Sequence, residues 1–237
     1  MLKFENCVFE AKGANKNAKV FSVTLEGNED ILINDCKFQG TGYSAILNKA
    51  AANVTVKHCE FECDNYYNPI EGGSAADQGN LTVEDCNFTG IPGNNFISFY
   101  RVADGSVHHI KGCKFAGATN NNIIRLSNVN NVTATFNIDD CEYKFVSGTP
   151  DEYTGFILCQ DYTSRSGNPQ NFSKYNVNIN NLTAPEVGEL VYIYEDGQGI
   201  IFGNYPATTR DGQMVLWGTA EPISGGIPEN PPIPFPM

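Results

Sequence analysis

Six of the eight cysteines recur at intervals of 23 to 29 residues along the 237-residue chain. Thiols at such a spacing could form disulfide bonds or hold a metal ion. A zinc site is not expected, because no Cys-x-x-Cys pair is present and Cys59 and Cys63 have a single nearby histidine, His58. A seventh repeat has Leu182 at the cysteine position, and leucine can neither form a disulfide bond nor bind a metal ion. The pattern therefore predicts a buried row of reduced cysteines and no metal site. The six cysteines are Cys7, Cys36, Cys59, Cys86, Cys113 and Cys141.

A second row of side chains, twelve residues after successive cysteines, could contact a ligand or a partner. The row mixes amide, carboxylate, hydroxyl and guanidinium groups, and tyrosines and a further arginine stand close to it in the sequence. Such a mixture on one face is typical of a carbohydrate-binding groove. A solvated face with charges placed by chance is the alternative interpretation. The row is Asn48, Glu71, Ser98 and Arg125, and its neighbours are Tyr66, Tyr67, Tyr100 and Arg101.

The same row lacks the groups that cleavage of a polysaccharide requires. Hydrolysis needs two or three clustered carboxylates, and elimination needs a calcium-binding acidic cluster with a basic proton acceptor. Glu71 is the only acid in the row, so we predict no catalytic residue and no cofactor. His108 and His109 are adjacent on a predicted strand and point to opposite faces, which favours a lone surface histidine over a catalytic pair.

The cysteines belong to a repeated sequence motif that predicts a solenoid. Its clearest copy is residues 81–90, and an aromatic residue follows each of the six cysteines by two positions. A period near 27 residues with a fixed apolar signature is typical of stacked repeats. The step from Val83 to Cys86 is three rather than two, so the strand must bend there. The residue before the cysteine position is of a type that tolerates the left-handed αL conformation. These corner residues are Asn6, Asp35, His58, Asp85, Gly112, Asp140 and Asn181.

A further apolar run, such as residues 45–47 or 123–124, completes a coil of three short strands. No helix-length pattern with a period of 3.6 residues is present. The predicted fold is an all-β, right-handed parallel β-helix of about seven coils with an inward Cys/Phe ladder, over residues 1–217. A Pro-rich extended arm, residues 218–237, follows it.

Charge and hydropathy exclude several classes of partner. The net charge of −12 argues against nucleic acid or an anionic membrane surface. No apolar run approaches the roughly 18 residues that a transmembrane helix needs. Met1 is followed at once by the first repeat, without a signal peptide. We therefore expect a protein that is made and retained in the cytoplasm, or an exported protein whose signal has been removed.

Both ends of the predicted solenoid suggest contact with another protein. The first coil begins directly after Met1, which leaves no residues to cover its unpaired backbone groups and apolar side chains. The Pro-rich arm carries apolar anchors that suit a groove on a partner. We expect other protein subunits as partners, either further copies or neighbouring virion proteins. The anchors are Ile223, Ile227, Ile233 and Phe235.

By its Cys-x-Phe/Tyr repeats and αL corners, the chain from residue 2 to about residue 205 resembles the pectin-lyase-like right-handed β-helix superfamily. That superfamily includes polysaccharide lyases and hydrolases, bacterial surface adhesins, phage tailspikes and other virion proteins. The enzymes among them carry catalytic Asp, Arg or Lys at matched positions on one face, and no complete set can be placed here. The resemblance implies the architecture and leaves the function open.

Two hypotheses from different classes follow. The first is a non-catalytic structural or adhesive protein that works inside an assembly, such as a capsid decoration or fibre protein of a phage virion. The missing signal peptide, the absent catalytic cluster and the Pro-rich arm favour it. The alternative is a carbohydrate-active β-helix enzyme, a lyase or hydrolase, or a glycan-binding module with a surface polysaccharide as its partner. The tyrosines, the arginines and the acidic composition favour this one, and it would place the protein outside the cell.

Overall fold

Three parallel sheets wrap the chain into a solenoid. The computed structural model describes residues 1–64, 66–73, 77–117, 123–128, 132–146, 155–161, 174–184, 189–194, 200–202, 207–209 and 213–216. Within these residues every sheet has eight strands, and successive strands in one sheet are three elements apart in the chain. The chain therefore visits each sheet once per turn, which is the topology of a parallel β-solenoid.

The strands of the three sheets have the following bounds. Sheet 1 contains β1 (Leu2–Glu5), β4 (Ile31–Asn34), β7 (Val54–Lys57), β10 (Leu81–Glu84), β13 (Ser106–Lys111), β16 (Thr133–Asp139), β19 (Lys174–Asn180) and β22 (Ile200–Phe202). Sheet 2 contains β2 (Val8–Lys12), β5 (Lys37–Thr41), β8 (Glu60–Glu62), β11 (Asn87–Thr89), β14 (Lys114–Gly117), β17 (Glu142–Phe145), β20 (Leu182–Ala184) and β23 (Ala207–Thr209). Sheet 3 contains β3 (Phe21–Leu25), β6 (Ser44–Asn48), β9 (Ile70–Gly72), β12 (Ile97–Phe99), β15 (Ile124–Asn128), β18 (Gly155–Asp161), β21 (Glu189–Tyr194) and β24 (Gln213–Leu216).

The predicted all-β parallel solenoid, with its buried phenylalanine stack and buried cysteines, is confirmed over about five turns. These are the turns from β1 to β15. The right-handedness, the total of about seven coils and the boundary at residue 217 stay predictions. The predicted arm, residues 218–237, lies outside the described residues, and its anchors Ile223, Ile227, Ile233 and Phe235 lie there with it.

Left-handed corners join the strands of sheet 1 to those of sheet 2. All seven predicted corner residues have positive φ, between 50° and 62°. Asp85, for example, stands between β10 and β11 with a φ of 51°. One αL residue reverses the pleat, so the apolar side chains on both sides of the corner still point inward. The three-residue step before each cysteine is therefore the sequence signature of this corner.

Aromatic rings form a continuous stack inside sheet 2. The ring centroids of Phe38 and Phe61 are 4.7 Å apart, those of Phe61 and Phe88 are 4.5 Å apart, and those of Phe88 and Phe115 are 4.9 Å apart. The planes within each pair are tilted by 15° or less. Strand pairing fixes this geometry, because equivalent residues of neighbouring turns are direct partners in the parallel register.

The repeated cysteines lie beside the aromatic stack as free thiols. Cys36, Cys59 and Cys86 are at most 2 % exposed, and the seven cysteines whose side chains the structure describes are free: Cys7, Cys36, Cys59, Cys63, Cys86, Cys113 and Cys141. Each of these thiols donates to a carbonyl of the preceding turn; the Sγ of Cys86, for instance, lies 3.6 Å from the carbonyl oxygen of Val56. Burial raises the pKa of Cys36, which keeps the thiol protonated. The reduced core ladder that the spacing predicts is present.

The expectation of a single surface histidine in the His108–His109 pair is confirmed. The two side chains point to opposite faces of β13, where His109 is exposed and His108 is buried with 1 % exposure. The ring of His108 is stacked on Phe136 at 4.8 Å and meets Phe99 edge-on at 4.9 Å. An imidazole thus occupies an inward position that apolar residues fill in neighbouring turns.

The first turn is less covered than the turns after it. Strands β1, β2 and β3 each stand at the edge of their sheet. Leu2 is 48 % exposed, whereas its partner in the next turn, Ile31, is 5 % exposed. Phe4 and Phe9 are only partly buried against the core. Among the described residues, no helix has the length and hydropathy that a membrane span requires.

Candidate functional site

The outer face of sheet 3 carries three of the four residues that were predicted to form a row. The register pairs Glu71 on β9 with Ser98 on β12, and Ser98 with Arg125 on β15. The fourth assignment was wrong, because the partner of Glu71 on β6 is Leu47, and Asn48 pairs with Gly72. The segment from Cys36 to sheet 3 is one residue shorter than the segment from Cys59 to sheet 3. The hydrogen-bonded register decides which residues align, so a fixed residue count fails in this turn.

Loops that precede sheet 3 bring two tyrosines alongside this row. The backbone N–H of Tyr67 donates to the carbonyl oxygen of Tyr43 at 3.0 Å, and the N–H of Asn94 donates to that of Tyr67 at 2.8 Å. The loops are therefore stacked in the same way as the strands. Their register places the rings of Tyr43 and Tyr67 side by side, with centroids 5.0 Å apart. The pair forms an aromatic wall beside the row.

A cleft of about 430 Å³ lies between the row and the tyrosines. This volume is within the range of sites that hold small ligands. Five of the lining residues are predicted from the sequence, whereas Lys19, Tyr43 and Asn68 are not. The five are Tyr67, Glu71, Ser98, Tyr100 and Arg125. The missed residues stand in loops of unequal length, where counting from the cysteine gives no alignment. The eight lining residues are Lys19, Tyr43, Tyr67, Asn68, Glu71, Ser98, Tyr100 and Arg125.

Glu71 is held at the floor of the cleft. Its side chain is 7 % exposed, and its Oε2 accepts a hydrogen bond of 2.7 Å from the Nδ2 of Asn68. Asn68 is fixed in turn, because its Oδ1 accepts from the backbone N–H of Asn95 at 3.1 Å. Burial raises the pKa of Glu71 and outweighs the opposite effects of Asn68, Arg125 and Lys19. The carboxyl is therefore desolvated and oriented.

Burial in the same low-dielectric surroundings also shifts the pKa values of Arg125 and Tyr43. Burial lowers the pKa of Arg125, while the negative charge of Glu71 opposes that shift. A guanidinium remains protonated at neutral pH despite such a shift. Burial also raises the pKa of Tyr43 to about 12, so its hydroxyl stays neutral and able to donate. The cleft thus offers charged and neutral hydrogen-bonding groups beside aromatic faces.

Two of the predicted site residues lie elsewhere. Tyr66 is fully buried, and its hydroxyl donates to the carbonyl oxygen of Gln39 at 2.5 Å and bonds with the Oγ of Ser22 at 2.8 Å. It belongs to the core and anchors the loop from which Tyr67 extends. Arg101 does not line the cleft, and its Nε lies 3.0 Å from the Oδ1 of Asp77 in an ion pair.

The cleft combines one oriented carboxyl with a guanidinium and aromatic faces. Among the described residues that line it, Glu71 is the only carboxylate, whereas glycoside hydrolysis uses a pair. In the described part of the chain no group of three or more His, Cys, Asp and Glu side chains is placed to hold a metal ion. Aromatic faces, an oriented carboxyl and a guanidinium are groups that hold a polyhydroxylated ligand.

Comparison with known proteins finds no matching family model, no matching curated protein and no matching solved structure.

Proposed function

We propose that the protein is a non-catalytic structural or adhesive solenoid that works inside an assembly. The observation that carries the proposal is the regular stacking of parallel strands around one continuous row of aromatic rings. Apolar side chains are also partly exposed in the first described turn. Leu2 and Val8 are 48 % and 66 % exposed, and Phe4 and Phe9 are partly buried. Exposed apolar side chains are a common contact surface for other chains.

We further propose a specific architecture and setting for this solenoid. The solenoid is a right-handed parallel β-helix of about seven coils, similar to the pectin-lyase-like superfamily, and its partners are protein subunits. In this proposal the protein is a virion component, such as a capsid decoration or fibre protein, and it attaches to its neighbours through the ends of the solenoid. The regular strand pairing and the buried aromatic stack support a rigid structural role.

Light scattering of the full chain over a range of concentrations tests the assembly. We expect an oligomer, and we expect removal of residues 218–237 to give a folded monomer with an unchanged circular dichroism spectrum. A matched variant keeps the chain length and replaces the four apolar anchors, Ile223, Ile227, Ile233 and Phe235, by serine. A full chain that stays monomeric at high concentration contradicts the proposal.

A second candidate function is glycan binding in the cleft of sheet 3. The observation that favours it is the joint placement of Tyr43, Tyr67 and Tyr100 with Glu71 and Arg125 around one volume. Tyrosine faces pack against the apolar face of a sugar ring, and carboxylate and guanidinium groups bond its hydroxyls. A rod in an assembly and a glycan site on its side are compatible, as in an adhesive protein.

Binding to arrays of neutral and acidic polysaccharides tests the cleft. Glu71→Gln keeps the shape of the side chain and its bond from Asn68 but removes the charge. We expect it to weaken binding about tenfold, which corresponds to ~1.4 kcal/mol. Arg101→Ala is the matched control, because Arg101 lies outside the cleft. Equal losses in the two variants, or no binding by the unaltered protein, contradict this function.

A further inference from the structure

One loop brings two lysines to the cleft of sheet 3. The loop, residues 13–20, connects β2 to β3, and its own hydrogen bonds shape it into a turn. The backbone N–H of Asn17 donates to the Oδ1 of Asn15 at 2.9 Å, and that of Ala18 donates to the carbonyl oxygen of Asn15 at 3.0 Å. Lys19 follows this turn, is exposed and lines the cleft. The loop therefore presents an ammonium group at the rim of the cleft.

The second lysine, Lys16, reaches along the solenoid to the tyrosine wall. A Cβ atom placed on Gly93, three turns further on, would lie 3.1 Å from the Cδ of Lys16, 3.3 Å from its Cε and 3.0 Å from the Cδ2 of Tyr67. The aliphatic stem of Lys16 therefore lies against Gly93 and close to the ring of Tyr67. Its ammonium group, one bond beyond Cε, adds a second positive charge beside the wall.

The charges around the cleft are not balanced. Among the described residues, no carboxylate forms an ion pair with Lys16 or Lys19. Within the cleft, the buried charges of Glu71 and Arg125 oppose each other. The two lysines therefore leave an excess of positive charge at the rim. Lysines elsewhere on the solenoid do have glutamate partners, namely Lys12, Lys37, Lys49 and Lys57.

This local excess stands out because the whole chain has a net charge of −12. A positive rim on an acidic molecule attracts an anion to one place, while the remaining surface repels it. A neutral sugar could pack on the tyrosines and bond the polar groups of the floor, but it would leave both ammonium groups without a charged partner. The charge of the rim therefore favours an anionic ligand over a neutral one.

We propose that the ligand of this cleft is an acidic saccharide, whose ring packs on Tyr43 and Tyr67 and whose carboxylate or sulfate group is bound by Lys19 at the rim. This inference rests on the proposed glycan binding and names the class of glycan. The tyrosine faces and the Glu71 carboxyl on the floor contact the ring and its hydroxyls, as they would for any sugar. The ammonium group of Lys19 forms a charge-assisted hydrogen bond with the acid group. Lys19 is thus the residue that separates acidic from neutral sugars.

Pairs of polysaccharides that share one sugar skeleton test the role of charge. On an array, each acidic polysaccharide is printed beside its neutral form, which carboxyl reduction gives for carboxylated polymers and desulfation gives for sulfated polymers. We expect the full chain to bind an acidic form and to bind the matching neutral form about tenfold more weakly. The treatment that removes binding tells whether the acid group is a carboxylate or a sulfate.

Substitution of Lys19 tests its assignment. Lys19→Gln removes the ammonium group at an exposed position, and we expect it to weaken binding of the acidic form about tenfold and to leave binding of the neutral form unchanged. Lys19→Arg keeps the charge and should retain the affinity. Lys12→Gln is the matched control, because Lys12 precedes the same loop, pairs with Glu10 and does not line the cleft. Added salt should weaken binding of the acidic form more in the unaltered protein than in Lys19→Gln.

The outcomes separate this inference from glycan binding itself. A loss in Lys19→Gln that is confined to the acidic form supports the inference. The same affinity for acidic and neutral forms overturns it and leaves glycan binding standing. A loss of the same size in Lys12→Gln would mean that overall charge, rather than Lys19, attracts the acidic form, which also overturns the inference. Absence of binding to every polysaccharide overturns both proposals.

Discussion

At the residue scale, His108 fills a core position with a ring that must stay neutral. The backbone N–H of Leu81 donates to its Nδ1 at 3.3 Å, so the proton resides on Nε2, which bonds the Oγ of Ser106 at 2.9 Å. Burial, together with the nearby His109, lowers the pKa of His108 to about 3. The hydrogen bonds satisfy both nitrogens, so the imidazole is tolerated between Phe99 and Phe136.

His108 should make the protein sensitive to acid. Its pKa is about 3 when folded and roughly 6.5 when unfolded, so the unfolded chain takes up a proton first as pH falls. The stability that is present above pH ~6.5 is lost toward pH ~3, by about 2 kcal/mol at pH ~5. Urea unfolding at pH ~7 and at pH ~5 measures the free energy of unfolding. The decrease of that free energy on acidification should be smaller in His108→Gln than in the unaltered protein. His109→Gln, on the exposed face of β13, is the control, and equal acid losses in the unaltered protein and His108→Gln would contradict the assignment.

At the element scale, each αL corner lets two short strands share one inward row. Asp85 has a φ of 51°, and the corner residue of the next turn is Gly112 with a φ of 62°. The side chain of Asp85 is about half exposed, and its contact with His58 is 3.8 Å long. An exposed pair of this kind contributes little to stability. The tolerance of the backbone for αL is therefore the property that matters at this position.

Two substitutions of Asp85 separate the backbone from the side chain. Asp85→Ala should lower the free energy of unfolding by about 1 kcal/mol, because alanine adopts αL at a higher cost. Asp85→Gly should lower it less or raise it, since glycine enters αL without strain. Chemical denaturation measures both. Equal destabilisation by the two variants would mean that the carboxylate, rather than the backbone conformation, stabilises the corner.

The strands and corners could be predicted from the sequence because every turn repeats them. The spacing of Cys86 and Phe88 recurs with little change, and repeated strand pairing translates it directly into stacked rings. The cleft could be predicted only in part, because its wall comes from loops whose lengths differ between turns. Lys19 and Tyr43 stand before their strands and have no fixed distance from a cysteine. Tyr66 and Tyr67 are adjacent in sequence, and only packing decides that one is core and the other lines the cleft.

At the scale of the whole molecule, stability should vary along the solenoid. Each turn contacts only its neighbours, and an end turn has one neighbour instead of two. Strands β1 to β3 combine open edges with partly buried aromatic residues, whereas β7 to β12 have partners on both sides. The first turn should therefore open locally at a lower free energy than the middle turns.

Hydrogen exchange should reveal this gradient. In a dilute sample we expect faster amide exchange in residues 2–25 than in residues 54–99. In a concentrated, assembled sample the exchange of residues 2–5 should slow markedly, because contact with another chain would protect their backbone N–H groups. Uniform exchange along all turns would contradict the gradient, and unchanged exchange of residues 2–5 on assembly would place the contact elsewhere.

Because the stacked rings are equally spaced, the length of the solenoid is set by its number of turns. Phe61, Phe88 and Phe115 follow one another at 27 residues, and each ring lies on the next at 4.5 to 4.9 Å. A duplication of one such period adds a further step of about 4.8 Å and leaves the strands on either side with equivalent partners. The length of the molecule therefore changes in whole turns, by about 4.8 Å for each turn that is added or removed.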